Sequence, residues 1–227
     1  MKIALFGATG GSGYHVLLQA MELGYGVKAL ARDPSRLPTG YSGLTPIAGN
    51  VLDQAAVNEC VSGTDAVICA LGTRPSSQPR LADGKHTPFG DFRGFFGMKD
   101  KPIEADGTRT IITAMQAQGV RRLIAETSIG VGDSIDQLPI YFKILKKLML
   151  QSVYDAKEEQ ERMIRESGLD WTIVRPGGLT DGPRTGHYAS GLDKSIKATR
   201  VSRADVAEFM LKQLTDDRYL RKTPAIS

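Results

Sequence analysis

Short apolar runs alternate along the chain with longer amphipathic stretches, and this alternation predicts strands and helices in turn. The apolar runs that indicate strands are residues 2–6, 27–31, 46–49, 66–71, 123–125, 171–174 and 223–227. The stretches with helical spacing are residues 14–23, 54–61, 103–118, 154–167 and 203–214. Strands that alternate with helices in this way form parallel sheets with helices on both faces. We therefore predict an α/β fold, with a doubly wound parallel sheet inside a three-layer αβα sandwich.

The first strand leads into a glycine-rich turn, Gly-Ala-Thr-Gly-Gly-Ser-Gly, that opens the first helix. Glycine permits the sharp turn, and it lets a ligand and the helix approach the backbone closely. The first N–H groups of a helix have no partner within it and favour an anion such as pyrophosphate. A glycine turn without a ligand is the alternative. The pattern predicts a Rossmann-type dinucleotide site with cofactor contacts from Gly7, Thr9, Gly10, Gly11, Ser12 and Gly13.

The residues after the second strand indicate which dinucleotide binds. Arg32 follows this strand directly and Arg36 lies one turn later, and guanidinium groups bind phosphate in a bidentate manner. Asp33 lies between them, and a carboxylate at this point favours the ribose hydroxyl of NAD. We expect NADP(H), with two surface arginines as the alternative. Two further groups follow the third and fourth strands and are expected beside the adenine and the nicotinamide ribose: Asn50, Val51 and Leu52, then Ala70, Leu71 and Gly72.

Three stretches interrupt the alternation within what we predict to be a single domain over residues 1–227. Residues 75–102, rich in Gly, Pro and Phe, form an inserted loop after the fourth strand, either a flap over the acceptor site or a passive insertion. Residues 140–150 are apolar with three lysines, which indicates an amphipathic helix packed on the domain, or a membrane or partner surface. Residues 176–200 are expected to form a small C-terminal substrate-side lobe.

Composition narrows the possible partners. The 227 residues include 29 Lys and Arg against 25 Asp and Glu, a net charge of +4, and the basic residues form no stripe with interleaved aromatics. We therefore expect no nucleic-acid partner. Two cysteines without metal-ligand spacing indicate neither a disulfide framework nor a metal site. The sequence shows no signal peptide and no apolar run of membrane-spanning length, so we expect a cytoplasmic protein without membrane contact, as a monomer or weak homodimer.

Five segments recur in order across most of the chain and carry a family resemblance. They are GATGGSG, ARDPSRLP, GNVLD, DAVICALGTR and ESGLDWTIVRPGGLTDGPRTGHY. Together they resemble the atypical short-chain dehydrogenase/reductases, in particular the branch of NADPH-dependent flavin reductases, also called biliverdin-IXβ reductases. NmrA-like proteins are more distant relatives. The resemblance implies a Rossmann fold, NADPH, and hydride transfer to a small planar conjugated acceptor such as a flavin, quinone or tetrapyrrole.

The resemblance also implies site residues near the ends of the fifth and sixth strands. Ser128 matches the family serine near the nicotinamide, and Gly178 stands where the flavin reductases have histidine. Tyr154 precedes Lys157 by three residues rather than the four of the usual Tyr-x-x-x-Lys pair, a shift that rotates a helical side chain by about 100°. Tyr154 is therefore a weak candidate acid, and Lys157 either binds a ribose hydroxyl or is a solvated helix lysine. The candidate catalytic residues are Ser128, Lys157 and Tyr154, with cofactor contacts from Thr127, Ser128, Lys157, Pro176, Gly177, Gly178 and Leu179.

Three functions remain open on the sequence alone. The first is an NADPH-dependent reductase of a small-molecule acceptor, in which the cofactor carries the chemistry and the protein positions it. The second is a non-catalytic NADP(H)-binding regulator of the NmrA-like kind. A sugar-nucleotide epimerase is disfavoured, because the C-terminal part is short for a substrate domain and Tyr154 is displaced from its usual position.

Overall fold

The computed structural model describes residues 1–72, 103–139 and 151–227. The loop predicted over residues 75–102 and the amphipathic stretch predicted over residues 140–150 lie outside the described residues.

A mostly parallel sheet forms the middle layer of the protein. Its eight strands lie in the order β3-β2-β1-β4-β5-β6-β10-β8, and β8 runs antiparallel to its neighbour. The bounds are β1 Lys2–Phe6, β2 Gly26–Ala31, β3 Leu44–Ala48, β4 Ala66–Cys69, β5 Arg122–Glu126, β6 Asp170–Pro176, β8 Ser190–Gly191 and β10 Ala225–Ile226. Two further strands, β7 Gly178–Thr180 and β9 Arg200–Ser202, pair with each other in a separate small sheet. The direction of strand order reverses between β1 and β4, and in doubly wound sheets ligands bind at the carboxyl ends of strands beside such a point.

Helices cover both faces of the sheet. Their bounds are α1 Gly11–Glu22, α2 Gln54–Val61, α3 Glu104–Gln118, α4 Gln151–Glu166 and α5 Arg203–Lys212. One apolar core lies between the sheet and α2, α3 and α4, and the second lies between the sheet and α1 and α5. Alternate strand residues serve the two cores: Phe6 belongs to the first and Leu5 to the second. This alternation explains why the inner strands are apolar throughout, and it confirms the predicted three-layer fold.

The helix ends carry local capping interactions. The Asp53 carboxylate accepts a hydrogen bond from the Ala55 N–H at 2.9 Å and so caps α2. The Ser202 hydroxyl accepts one from the Asp205 N–H at 2.9 Å and caps α5. Gly119 ends α3 with φ 70°, in the left-handed region that glycine adopts readily.

Of the element boundaries that differ from the predicted ones, two have a clear physical reason. Helix α1 begins at Gly11, before the expected start at residue 14, because Gly11 and Gly13 of the glycine-rich turn are themselves part of the helix. Strand β6 continues to Pro176, past the expected end at residue 174, because the Arg175 N–H and the Gly177 N–H are bonded to backbone carbonyls at the C-terminal end of the chain. Strands β7, β8 and β9, in the region expected as a lobe, were not predicted, since each spans two or three residues.

No helix in the described ranges combines the length and the apolar character needed to cross a lipid bilayer.

Packing at the start of α1 gives a stability prediction. A Cβ at Gly13 would lie 2.2 Å from the Gly7 carbonyl oxygen, which is backbone and cannot move aside cheaply. Gly13→Ala should therefore destabilise the protein by about 1–3 kcal/mol, which corresponds to a fall in Tm of about 2–4 °C per kcal/mol at this chain length. Gly182→Ala is the matched control, because a Cβ there meets its nearest atom at an ordinary 3.6 Å. Equal melting temperatures for the two variants in calorimetry would contradict the steric argument.

Candidate functional site

Three glycines bring backbone segments into close contact where β1 ends. Gly7 has φ 92°, and a Cβ at this residue would lie 2.3 Å from the carbonyl oxygen of Ala70, at the end of β4. The Gly10 N–H donates to the Gly7 carbonyl at 2.8 Å, which closes the turn. A side chain at Gly7 or Gly13 would place atoms closer to the neighbouring backbone than any van der Waals contact allows. The turn therefore presents backbone, and not side chains, to whatever lies over the carboxyl end of the sheet.

The N-terminus of α1 opens onto this turn. Gly10 is the N-cap residue, no side chain caps the helix there, and its first turn contains no acidic residue. The unpaired N–H groups and the helix dipole favour an anion at such an end. The Ser12 hydroxyl donates to the buried Glu126 carboxylate at 2.9 Å, so Ser12 can offer an anion only its backbone N–H. Glu126, the last residue of β5, was not among the predicted site residues. These features fit the pyrophosphate of a dinucleotide.

The end of β2 carries exposed positive charge. Arg32 and Arg36 are both exposed, and the latter ends the short 3-10 helix Pro34–Arg36. The Asp33 carboxylate accepts the Ser35 N–H at 3.1 Å and the Ser35 hydroxyl at 2.6 Å. These hydrogen bonds lower the pKa of Asp33. Because this carboxylate caps its own turn, the arginines remain the groups at β2 best placed to bind a phosphate.

The segments after β3 and β4 meet beneath α3. The Asn50 side chain accepts the Leu52 N–H at 3.1 Å and forms a tight turn that leaves Leu52 50% exposed. Val51 points inward, and a Cβ on Gly107 of α3 would lie 2.9 Å from both the Val51 and the Leu71 side chains. Gly107 therefore allows α3 to approach both segments, a contact that the sequence did not predict. Leu52 offers an exposed apolar surface of the kind that suits an adenine face.

The three candidate catalytic residues lie together where β5 ends. Tyr154 and Lys157 are three residues apart on α4 and so share a face of this helix. The Lys157 ammonium donates to the Thr127 carbonyl at 3.2 Å, next to Ser128. The Tyr154 hydroxyl donates to the Ile129 carbonyl at 3.4 Å, and the Ser128 hydroxyl donates to the same carbonyl at 3.1 Å. The three-residue spacing thus brings the phenol to Ser128.

Tyr154 is not poised to deliver a proton. Its side chain is 6% exposed. Burial raises the pKa of the phenol, and the hydrogen bond with Ser128 offsets only part of that rise. A buried phenol with a raised pKa is a weaker proton donor than an exposed one, and the weak candidacy of Tyr154 as an acid stays a prediction.

A buried ion pair lies one turn further along α4. Glu161 is 1% exposed and Arg175 of β6 is 3% exposed, and the guanidinium donates to both carboxylate oxygens at 2.9 and 2.7 Å. The Thr127 hydroxyl donates to the same carboxylate at 2.8 Å. The third Arg175 nitrogen binds Asp133 at 2.7 Å, and Arg165 reaches Glu161 at 2.9 Å. The sequence analysis did not single out Glu161 or Arg175, although the four-residue spacing of Lys157 and Glu161 was a usable signal.

The pKa shifts follow from this pairing. Burial alone would lower the pKa of the Arg175 guanidinium, but its hydrogen bonds to Glu161 and Asp133 outweigh burial and the pKa is raised. Burial alone would raise the pKa of Asp133, but the hydrogen bond and charge of Arg175 outweigh it and the pKa is lowered. Both groups therefore stay charged at neutral pH.

The residues expected in a loop after β6 belong largely to strands. Pro176 ends β6, and Gly178 begins β7, where it pairs with Arg200 of β9. A Cβ at Gly177 would lie 2.6 Å from the Thr199 carbonyl oxygen, so this position must be glycine for β9 to pass over it. Leu179 is half-buried against the core beside α1 and α5. In this group Gly178 is exposed.

Comparisons with known proteins agree with the dinucleotide site that the geometry indicates. A family profile described as NAD(P)H-binding matches residues 7–217. The chain is 30% identical over 224 residues to an uncharacterised chloroplastic protein of Arabidopsis thaliana, which covers 95% of this chain and 72% of the other. It is 26% identical over 232 residues to a (4-alkanoyl-5-oxo-2,5-dihydrofuran-3-yl)methyl phosphate reductase of Streptomyces griseus, which covers 99% and 67%.

Solved structures share the fold over the whole chain. ChuY, an anaerobillin reductase from Escherichia coli O157:H7, is similar with a TM-score of 0.77 and 23% identity, covering 100% of this chain and 96% of the other. A short-chain dehydrogenase/reductase from Veillonella parvula, solved in complex with NADP, has a TM-score of 0.76 and 16% identity, covering 100% and 94%.

The buried ion pair generates a stability prediction. Glu161→Gln leaves the Arg175 guanidinium buried without its main counter-charge, and breaking such a pair costs about 3–5 kcal/mol. Glu166→Gln is the matched control: it makes the same chemical change on the same helix, but Glu166 binds the exposed Arg162 at 2.7 Å. Exposed pairs contribute about 0–1 kcal/mol. Urea unfolding of both variants measures the difference, and similar midpoints would show that the buried pair contributes no more than the exposed one.

Proposed function

The chain belongs to the NAD(P)H-binding family, and from that premise we propose that it is an NADPH-dependent oxidoreductase of a small planar conjugated acceptor. Flavins, quinones and tetrapyrrole-like compounds are such acceptors. The observation that carries the proposal is that the glycine turn before α1 and the group formed by Ser128, Tyr154 and Lys157 lie at the same carboxyl edge of the sheet. The Ser12 hydroxyl donates there to Glu126 at 2.9 Å, two residues before Ser128. The reductase names of the Streptomyces relative and of ChuY support this class of reaction.

The choice of NADPH over NADH rests on charge at the end of β2. A 2′-phosphate there would meet the exposed guanidinium groups of Arg32 and Arg36, while Asp33 is engaged with Ser35. The adenine would lie against the exposed face of Leu52. The NADP complex of the Veillonella structure is consistent with this assignment.

The roles of the residues follow from their contacts. The bound nicotinamide supplies the hydride. Ser128 would orient the carboxamide or the acceptor through its hydroxyl, and Lys157, which donates to the Thr127 carbonyl at 3.2 Å, would bind a ribose hydroxyl. Tyr154 supports Ser128 from the interior of the protein and does not act as an acid. An acceptor that is already electron-poor needs little acid assistance, so its proton can come from water.

A non-catalytic NADP(H)-binding regulator is the second candidate. The observation that favours it is the burial of the Tyr154 hydroxyl, which leaves the usual proton donor of short-chain dehydrogenases turned inward. A screen of NADPH oxidation over flavins, quinones and tetrapyrroles separates the two. Turnover supports the reductase, and tight NADPH binding without turnover on any acceptor supports the regulator.

The substrate-side lobe, the cellular location and the oligomeric state of the protein remain predictions. The region expected as a substrate-side lobe, residues 176–200, contains the exposed Gly178 and would border the acceptor. A cytoplasmic location and a monomer or weak homodimer are still expected, although the Arabidopsis relative is named as chloroplastic.

Cofactor preference is tested at Arg32. Arg32→Ala should weaken NADPH binding by about 1–3 kcal/mol, the range of a charge-assisted hydrogen bond, and leave NADH binding nearly unchanged. Arg218→Ala is the matched control, because Arg218 is also exposed and lies in a short 3-10 helix capped by an aspartate. Calorimetric dissociation constants measure the effect. Equal affinities of the wild-type protein for both cofactors would rule out the 2′-phosphate site.

The mechanism is tested by a pair of variants. Ser128→Ala should slow acceptor reduction by about 1–2 kcal/mol, roughly five- to thirtyfold, through loss of one orienting hydrogen bond. Tyr154→Phe should change the rate little, because the phenol is buried and neutral. Steady-state reduction of a flavin or quinone by both variants is the measurement. A loss of several orders of magnitude in Tyr154→Phe would restore the tyrosine as the acid and refute the mechanism.

A further inference from the structure

We propose that Glu161 and Arg175 are positioning residues for the Ser128–Lys157 site, and that they act through Thr127 and Asp133. The inference rests on the proposed function for its kinetic consequences. Its structural part concerns the backbone after β5 and can be tested without any turnover.

Thr127 is held by two groups from one face of α4. Its carbonyl accepts from the Lys157 ammonium at 3.2 Å, and its hydroxyl donates to the Glu161 carboxylate at 2.8 Å. Lys157 and Glu161 are four residues apart, which places them one above the other on the helix. The helix thus fixes both the carbonyl and the side chain of the residue that precedes Ser128.

Arg175 extends the same restraint to the next segment. Besides Glu161 it binds the Asp133 carboxylate at 2.7 Å, in the 3-10 helix Gly132–Gln137. This short helix begins four residues after Ser128. Next to Asp133, the Ser134 hydroxyl accepts the Gly130 N–H at 2.8 Å. Residues 127–134 are therefore tied to β6 and α4 at several points, and the buried pair is the common anchor.

The energetics of buried charge support a positioning role over a purely stabilising one. Apolar side chains of similar size often stabilise a protein as well as a buried ion pair does, because desolvation cancels much of the Coulomb attraction. Glu161 and Arg175 bring something that apolar groups lack: directed hydrogen bonds to Thr127 and Asp133. Displacements of about 1 Å at a reacting group can cost about a hundredfold in rate. Residues that hold Ser128 in register can therefore influence the rate without touching the substrate.

The experiment uses variants that keep the Glu161–Arg175 pair and remove or weaken only its outward contacts. Thr127→Val deletes the hydroxyl with little change in shape, and Thr127→Ser restores it. Asp133→Asn removes the charge of the 61% exposed Asp133 side chain, which weakens its bond to Arg175. Thr113→Val is the matched control, because this exposed threonine on α3 donates only to the Arg109 carbonyl in its own helix. None of these changes leaves a buried charge alone, so the variants are expected to fold.

Two readouts are compared across the variants. Hydrogen exchange of the amides of residues 128–134, with and without NADP⁺, reports the backbone directly. Reduction of a flavin or quinone by NADPH, protiated or deuterated at the transferred position, reports hydride transfer. In Thr127→Val and Asp133→Asn we expect exchange of these amides to rise about tenfold. The turnover number should fall about tenfold with a larger isotope effect and an NADPH affinity within about twofold of wild type. Thr127→Ser, which keeps the hydroxyl, should restore slow exchange of these amides, and Thr113→Val should behave as wild type.

The outcomes separate this inference from the proposed function. Unchanged exchange at residues 128–134 in both Thr127→Val and Asp133→Asn overturns the inference. Faster exchange spread over the whole chain, with unchanged turnover and isotope effect, also overturns it, since that result describes stability alone. If the wild-type protein reduces no acceptor, the proposed function fails. The positioning inference is then decided by exchange alone, which must rise locally in these two variants and not in the controls.

Discussion

Much of this fold depends on one steric constraint, which is the contact of backbone with backbone at the carboxyl end of β1. Gly7 lies against the Ala70 carbonyl, and Gly13 lies against the Gly7 carbonyl, at separations that exclude a Cβ. These contacts set where α1 starts and how closely it packs on the sheet. No side chain caps the start of α1, which lies at the carboxyl ends of β1 and β4, where the strand order reverses. An anion-binding helix end and the crevice of a doubly wound sheet thus result from the same steric constraint.

Charge is distributed in two different ways around this edge. At the end of β2 it is exposed: Arg32 and Arg36 face solvent, and the one nearby carboxylate, Asp33, caps its own turn. At the ends of β5 and β6 it is buried, in Glu161 and Arg175, and saturated by hydrogen bonds within the protein. Exposed groups can bind a charged ligand with little rearrangement, whereas buried pairs hold neighbouring backbone in place. The end of β2 is therefore suited to recognising a charged ligand, and the ends of β5 and β6 are suited to holding the backbone in a fixed geometry.

The sequence predicted the features that depend on local pattern. Apolar runs located every main-sheet strand except β8, and the spacing of Gly7, Gly10 and Gly13 identified the turn, since both signals lie within a few residues. The short strands β7, β8 and β9 depend on partners far along the chain, and two or three residues carry no periodicity. The pairing of Glu161 with Arg175 joins a helix to a strand, and only tertiary packing decides that the two charges meet. For Gly107 the sequence shows a glycine within a helix, but not the Val51 and Leu71 side chains that would crowd a Cβ there.

The position of Tyr154 connects the fold to the kind of chemistry the site can perform. Because Tyr154 precedes Lys157 by three positions and not four, the phenol reaches Ser128 and the Ile129 carbonyl from inside the protein. Burial then raises the pKa of the phenol, which makes Tyr154 a weaker proton donor than an exposed tyrosine. A carbonyl substrate, whose oxygen gains charge as hydride arrives, would need a proton donor. A conjugated ring system spreads that charge over many atoms and can be protonated by water afterwards. The placement of Tyr154 on α4 therefore supports the proposal of planar conjugated acceptors over simple ketones.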